Sequence, residues 1–358
     1  MKAKRLFISV IALCCTMVAW AQDNQSVTAI LQHVENGTET VKVYIGKEAF
    51  KNAYADAVNG DAITLSSGSF DSPATFQKEL SVYGAGYEED AASGTAVTTL
   101  NGYIYIKGIE SLSNLHFEGL RLGNFECDIP VSNMVISKCY FNYAYFRNTP
   151  ISDIKIQQCV ITGGIQGKYD CGDTKAENLI VKNCILGGGV CYFDPSSLLL
   201  IDHCLFLCKL DNTKYTYMNS FVYTNCIFGK KGDPINILGS LEYCIVSWYY
   251  SCNNPINVID LRNAAVFTDG DWASSYSADR TYTLSNPDEW MGFDGYDNNG
   301  NPIRSQIGIH GGMGFSKVPS TPVIRNMTVT PEGKKIKVNY ETNVRPVPTT
   351  NPDPESEP

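Results

Sequence analysis

"LLLIDHCLFLC", residues 198–208, sets an Asp, a His and a Cys side by side inside an apolar run. Either Asp202, His203 and Cys204 form a reactive group, or they are three positions of a backbone that bends. The neighbouring sequence decides between these. NLHFEGLRL (114–122), NMVISKCYF (133–141), DIKIQQCVI (153–161), NLIVKNCIL (178–186), SFVYTNCIF (220–228) and GSLEYCIV (239–246) carry the same pattern. Aligned on Leu120, Cys139, Cys159, Cys184, Cys204, Cys226 and Cys244, the segments recur at steps of 19, 20, 25, 20, 22 and 18 residues. A period of about 20 with two short strands per unit predicts a stacked solenoid of parallel strands.

Each register has its own chemistry. Five residues before the reference stand Leu115, Met134, Ile154, Leu179, Leu199 and Phe221; three before it stand Phe117, Ile136, Ile156, Val181, Ile201, Tyr223 and Leu241. Two after it come Leu122, Phe141, Ile161, Leu186, Phe206, Phe228 and Val246. Strand alternation sends these to one side, so they are expected to line the bore. Two before the reference, Glu118, Ser137, Gln157, Lys182, Asp202, Thr224 and Glu242 are expected to face water. One before it stand Gly119, Lys138, Gln158, Asn183, His203, Asn225 and Tyr243, and Gly, Asn and His are types that tolerate the left-handed backbone of a sharp corner. Asp202 is therefore read as an outward strand residue, His203 as a corner and Cys204 as one rung of an interior thiol column. A zinc site from His203, Cys204 and Cys208 lacks a second closely spaced ligand pair. The thiols are expected to be buried and reduced, although coil spacings of about 4.8 Å also permit disulfides between rungs. Cys171 and Cys191 are the candidate loop bridge.

The chain opens with MKAKRLFISVIALCCTMVAWAQ: a basic start, an apolar stretch over Leu6–Val18 and a small-x-small site at Ala19–Ala21. Residues 1–21 have the layout of a secretory leader too short to span a bilayer, which predicts export to the periplasm, the outer surface or the medium. Three of the 28 basic residues leave with it, so 25 remain against 37 acidic, a net charge of −12. Such a surface argues against nucleic acid, and no later run is long enough for a membrane helix.

The rungs NLIVKNCIL and SFVYTNCIF, the entry GDAITLSSGSF (60–70) with KELSVYGAGY (78–87), and the closing YTLSN…DGYDNNGNPIRSQIGIHGG (282–312) together resemble the right-handed parallel β-helix proteins of the pectate-lyase-like superfamily. The likeness spans about residues 40–312. It implies an all-β, right-handed parallel β-helix, but not one activity, because the superfamily mixes lyases, hydrolases, esterases and non-catalytic adhesins.

The organisation expected is a leader (1–21), a loosely ordered N-terminus (22–38), the β-helix (39–312), an extension with a hairpin around Pro331-Glu332-Gly333 (313–344) and a disordered acidic, proline-rich tail (345–358). Glu48–Val58 reads as a short capping helix with Phe50, Ala53, Tyr54 and Ala57 on one face. One register departs from the plan. Arg121, Tyr140, Val160, Ile185, Leu205, Ile227 and Ile245 follow the reference and point outward, as do Val135, Ile180, Leu200 and Val222 four before it. An apolar stripe of that length is normally covered. Either the segment 263–340 or a second subunit, making a homo-oligomer, is expected to cover it.

Candidate chemistry is sparse. The resemblance would imply, for a polygalacturonase-like hydrolase, Asn-x-Asp, Asp-Asp, Gly-His-Gly and Arg-x-Lys motifs, and the chain carries no such set. Ile201-Asp202-His203 is similar to a pectate-lyase signature but lacks its Trp. Asp211 and Asp233, each seven residues past its reference Cys, are the best pair of catalytic acids or of calcium ligands, although both sit in ordinary turn sequences. Asp170 and Asp173 extend the same side. Asp294, Asp297 and Asn299 in DGYDNNGN depart from a calcium loop and read as a turn. No metal site and no cofactor is expected otherwise.

Aromatic residues give the stronger signal. Tyr143, Tyr192, Trp248 and Tyr249 are expected on an outer face, where flat rings pack on sugars, with the glycines of GGGV (187–190) leaving room beside them. Tyr145 and Tyr250, placed in register with Ile165 and Val190, are expected inside. The expected function is a secreted or surface glycan-binding or scaffold protein, with a polysaccharide or other glycan as partner. A lyase or glycoside hydrolase and an adhesive assembly unit are the alternatives.

Overall fold

The computed structural model describes residues 27–90, 93, 95–147, 150–168, 174–194, 196–208, 221–229, 239–247, 249–261, 265–270 and 272–320, and the backbone alone at 235–236, 323–332 and 335–343. The expected leader and acidic tail lie outside these residues. Among the described residues the protein is all-β with one helix, and its chain runs through three sheets in turn, parallel from coil to coil.

The first sheet has twelve strands, the second seven and the third five. One coil shows the course: Val131–Ser137 lies in the first sheet, Tyr140–Phe141 in the second and Tyr143–Phe146 in the third. The next coil pairs Met134 with Ile154 and Ile136 with Ile156, and later coils continue these columns to Leu199 and to Leu241. These bore residues are buried throughout. At about 1.5–3 kcal/mol for each large side chain removed from water, they are the main force holding coil on coil.

The corner column follows its expected conformation. Lys138, Gln158, Asn183, His203, Asn225 and Tyr243 have φ of 48, 54, 50, 52, 53 and 53°, and Gly119 has 69°. The six column cysteines behind them are all fully buried free thiols. Each Sγ donates to the carbonyl two residues earlier, from 3.1 Å at Thr224 to 3.3 Å at Asp202 and Glu242. Cys159 and Cys184 also accept the N–H of the preceding column cysteine at 3.5 and 3.4 Å. Cysteine is thus small enough for the bore and satisfies a carbonyl that the corner strands. Cys191 is likewise a free buried thiol, and Cys171, its expected bridge partner, lies outside the described residues.

A second left-handed column was not anticipated. Asn114, Asn133, Asp153 and Asn178, six before the reference, have φ of 56, 47, 53 and 67° and bulge from the first sheet. Asn133 Nδ2 donates to Asn114 Oδ1 at 2.7 Å, and Asn178 Nδ2 to Asp153 Oδ1 at 2.8 Å.

At the N-terminal end, β1 (Thr28–Glu35) and β2 (Thr38–Ile45) form an antiparallel hairpin, and β1 pairs antiparallel with β3 (Ala62–Leu65) to begin the first sheet. Residues 28–35 therefore differ from the loose segment expected there: Thr28–Leu31 are buried against the first coil. Helix α1 (Ala49–Asp56) buries Ala49, Phe50 and Ala53 over the coil end. Lys78 Nζ closes its C-terminus by donating to the carbonyls of Tyr54, Ala55 and Ala57 at 2.7, 2.9 and 2.7 Å. Towards the C-terminus Val323–Glu332 pairs antiparallel with Lys335–Asn343, as far as Glu332 opposite Lys335.

The outward stripe is covered from within the chain. Val160, Ile185, Leu205, Ile227 and Ile245 are buried against Val266, Phe267, Tyr282, Leu284, Trp290, Ile307 and Ile309. That segment supplies the cover, which removes the stripe as a surface for a homo-oligomer. The other outward column, Val135, Ile180, Leu200 and Val222, is left partly exposed on the first sheet.

Candidate functional site

The trio at 202–204 divides as its registers require. Cys204 points into the bore. The His203 ring turns outward and is only 1% exposed, because the closing segment folds over it. Its Nε2 lies 2.6 Å from Asp294 Oδ1 and its Nδ1 3.1 Å from the Gly308 carbonyl. Both neighbours are acceptors, so the ring is held as an imidazolium. Burial pushes its pKa down, but the bond to Asp294 and the charge of Asp202 prevail and raise it. Asp294 moves the other way: burial would raise it, and the bonds from His203 and Ser305 lower it. The GG of GIHGG has a steric reason, since a Cβ on Gly311 would lie 2.5 Å from His203 Cε1 and one on Gly312 2.8 Å from Cδ2.

This cluster is not a hydrolytic triad. Ser305 Oγ, 3.5 Å away, and Asp294 address the same ring nitrogen, whereas a triad needs its acid on the opposite one. The zinc alternative also fails, because His203 and Cys204 face opposite sides of the wall. Among the described residues no group of three metal-ligating side chains gathers.

The −2 register faces outward as expected but is partly buried, which corrects the expectation that it meets water. Asp202 accepts from Thr224 Oγ1 and Asn225 Nδ2 at 2.8 and 2.9 Å and pairs with Lys182 at 3.1 Å. Glu118 is 2% exposed. Burial would raise its pKa, but His116 at 3.4 Å, the bonds from Ser320 and the charge of Lys138 hold it at about 2.

An open site is built on the outer face of the third sheet. Ala144 pairs with Ile165 and Tyr145 with Gln166, so Tyr145 points outward beside Tyr143, not inward as expected. The cause is one added residue: Gly163-Gly164 stands where the preceding coil has Tyr143 alone, and the alternation slips by one. Tyr143 and Tyr145 stack at 5.0 Å with 22° between planes, and Arg147 lies 4.8 Å over Tyr145. The Tyr143 ring rests on Gly163, where a Cβ would come within 2.6 Å of it. Tyr103, 48% exposed, rests on Gly123 in the same way. Tyr105 carries Lys107 at 4.0 Å. Between these two tyrosine-bearing strands lie Asn124, Glu126 and Asp128. Arg147 Nη1 binds Glu126 Oε2 at 2.8 Å and Asp128 Oδ1 at 3.5 Å, and Asn124 Nδ2 donates to Glu126 Oε1 at 3.1 Å.

Of the other predicted site residues, Asp211, Asp233, Trp248, Asp170 and Asp173 lie outside the described residues. Tyr192 is half-buried with φ of 62° and stands three positions beyond the Tyr143 register, level with Phe146. Tyr249 is 62% exposed beside Tyr250, whose strand pairs with Ile235–Asn236 in a separate sheet. Tyr250 packs against the bore as expected. The structure thus brings Tyr143 together with Tyr103, Tyr105 and Tyr145, three residues for which reading alone gave no outward place. Asp297 makes a plain turn, its Oδ1 accepting the N–H of Asn299 and Asn301 at 2.8 Å each. Among the described residues no helix is long and apolar enough to cross a membrane. Comparison with protein-family models, with curated proteins and with solved structures finds no match.

Proposed function

We propose that this chain is an exported glycan-binding protein, built as a right-handed parallel β-helix of the pectate-lyase-like kind, that holds a glycan without cleaving it. The observation that carries this reading is the platform of Tyr103, Tyr105, Tyr143 and Tyr145 on the third sheet. Rings in that setting offer apolar faces to sugar C–H groups and hydroxyls to sugar oxygens. The neighbouring acids support binding over turnover. Glu126 Oε2 is taken by Arg147 and its Oε1 by Asn124, so this carboxylate props the platform rather than standing ready to deliver a proton. The leader at 1–21 supports export.

A glycan array together with pull-down on insoluble polysaccharides tests the reading, with reducing-end and unsaturated-product assays run in parallel. Retention on at least one glycan without new chain ends is expected. Release of products would overturn the non-catalytic part, and absence of retention on every glycan would overturn the whole.

A further inference from the structure

The platform has a direction. Ile104 pairs with Phe125 and Phe125 with Ala144, so Tyr103 and Tyr143 precede equivalent positions on the first and third of three adjacent strands. They lie roughly 10 Å apart along the stacking axis, twice the strand spacing of about 4.8 Å. The strand between them places Gly123 and the buried Asn124 at this level, so no third ring interrupts the pair. The turn that leads into the third sheet carries Gly102, Gly123, Asn142, Thr162 and Gly187 at one level, joined coil to coil by Gly123 N–H to the Gly102 carbonyl and Asn142 N–H to the Gly123 carbonyl. Its side chains are hydrogen atoms except for Asn142 and Thr162, whose polar atoms meet at 3.2 Å on the surface. The result is a shallow trough of low side chains along the axis, in which the Tyr103 ring lies over Gly123 and the Tyr143 ring over Gly163, on alternate coils.

We propose that this trough holds an extended, uncharged, β-linked glycan lying along the stacking axis; the proposal rests on the glycan-binding reading above. Three features select that ligand. A pyranose in an extended β-linked chain advances by about one coil spacing, and alternate sugars present the same face, so two rings two coils apart meet sugars i and i+2. A coiled α-linked chain turns its rings away from one line and meets only one tyrosine. Finally, the cations beside the trough are already engaged: Lys107 lies on Tyr105, and Arg147 is tied to Glu126 and Asp128. Neither is aimed at a uronate carboxylate, and the two acids would repel one.

The test is calorimetric titration of the full chain with β-1,4-linked gluco- and manno-oligosaccharides, with α-1,4-linked malto-oligosaccharides as the curved comparison. Affinity is expected to rise steeply up to three sugars, the length that spans both rings, and to level off beyond. Tyr103→Ala and Tyr143→Ala are each expected to weaken binding about tenfold. Tyr103→Phe and Tyr143→Phe keep the ring face and are expected to retain most of the affinity, which separates stacking from damage to the fold. Binding of the curved chains alone, or β-glycan binding indifferent to both alanine variants, overturns the trough while leaving the glycan-binding reading intact. Binding of no glycan at all overturns both.

Discussion

Replacing Asp294 by Asn removes the charge partner of His203 and leaves the imidazolium bonded to a neutral amide. The ring is 1% exposed and the Asp294 side chain 18% exposed, so one member of the pair is fully desolvated and the other is not. Removing one partner of a fully buried pair costs about 3–5 kcal/mol, and losing a bond to a charged group about 1.5–3 kcal/mol. Water reaches Asp294, which places the loss near the lower figures, at about 2–3 kcal/mol. That loss falls on the closing segment, because His203's own strand keeps its sheet partners. Opening of residues 292–312 then becomes roughly 30- to 150-fold more frequent. Hydrogen exchange followed by mass spectrometry reads this directly, with fast exchange confined to 292–312 and the coils unchanged.

The pH profile gives a second reading of the same pair. The pKa of His203 is raised above its ordinary 6.5, so its contribution is complete below 6.5 and is lost as pH rises through the folded value. That of Asp294 is lowered from 3.8, so its contribution is present above 3.8 and is lost as pH falls through the folded value. The clasp is firmest between these limits, and Asp202 at 3.9 Å and Lys182 beyond it are the other charges facing the ring. Gly311→Ala attacks the same contact sterically, since its Cβ would meet His203 Cε1 at 2.5 Å and the Gln306 carbonyl at 1.8 Å. If both variants protect 292–312 as the wild type does, at pH 5 and at pH 9 alike, the clasp contributes nothing and the argument is wrong.

Two further outcomes are expected. The column thiols, whose pKa values burial pushes well above the ordinary 9.0 at Cys159, Cys184, Cys204 and Cys226, should resist alkylation in the folded protein and react only on unfolding, whereas half-exposed Cys208 and Cys252 label first; mass spectrometry of partly alkylated protein checks the order. Glu118, held at about 2 against an ordinary 4.5, contributes stability present above pH 4.5 and lost as pH falls toward 2, so Glu118→Gln should flatten the acid limb of a thermal-melting series, and an unaltered limb would show that its bonds to Ser320 carry no weight.

The bore was legible because the side chains that build it repeat on every coil, and period-two alternation assigns them without coordinates. The apolar stripe was equally legible as a surface in need of cover, although the covering chain has no repeat of its own to announce it. The platform was half legible. Counting from the cysteine put Tyr143 outside, but Gly163-Gly164 adds a residue after the second sheet, and a count carried past it turns Tyr145 to the wrong side. Tyr103 could not be placed, because its coil has no reference cysteine. The second left-handed column was visible in principle, as Asn114, Asn133, Asp153 and Asn178 share one register. The strand at Thr28–Glu35 was hidden because only its first half, Thr28–Leu31, is buried, while its second half runs out into exposed residues.

The corner column shows how a repeat can encode something that does not repeat. If tolerance of positive φ alone chose its residues, Gly and Asn would fill it, because Lys138, Gln158 and Tyr243 each cost about 1–2 kcal/mol there. Their side chains give the reason. Tyr243 stacks on Phe293 at 5.6 Å, Asn225 donates to the Phe293 carbonyl at 3.0 Å, and His203 bonds the Gly308 carbonyl. Asn183 donates to the carbonyls of Ile309 and Gly311 at 2.9 and 2.8 Å, and Gln158 to that of Gly314 at 2.7 Å. Lys138 pairs with Glu118, which takes the Ser320 N–H, and bare Gly119 leaves room for Pro319. Read from Tyr243 down to Gly119, the partners climb from 293 to 320, so the closing segment runs back along the corner against the direction of stacking. Most of these bonds end on backbone carbonyls, which any strap sequence provides. Donor-bearing side chains on the corner therefore suffice to bind a segment of unrelated sequence, and the local strain is offset by a tie across seven coils.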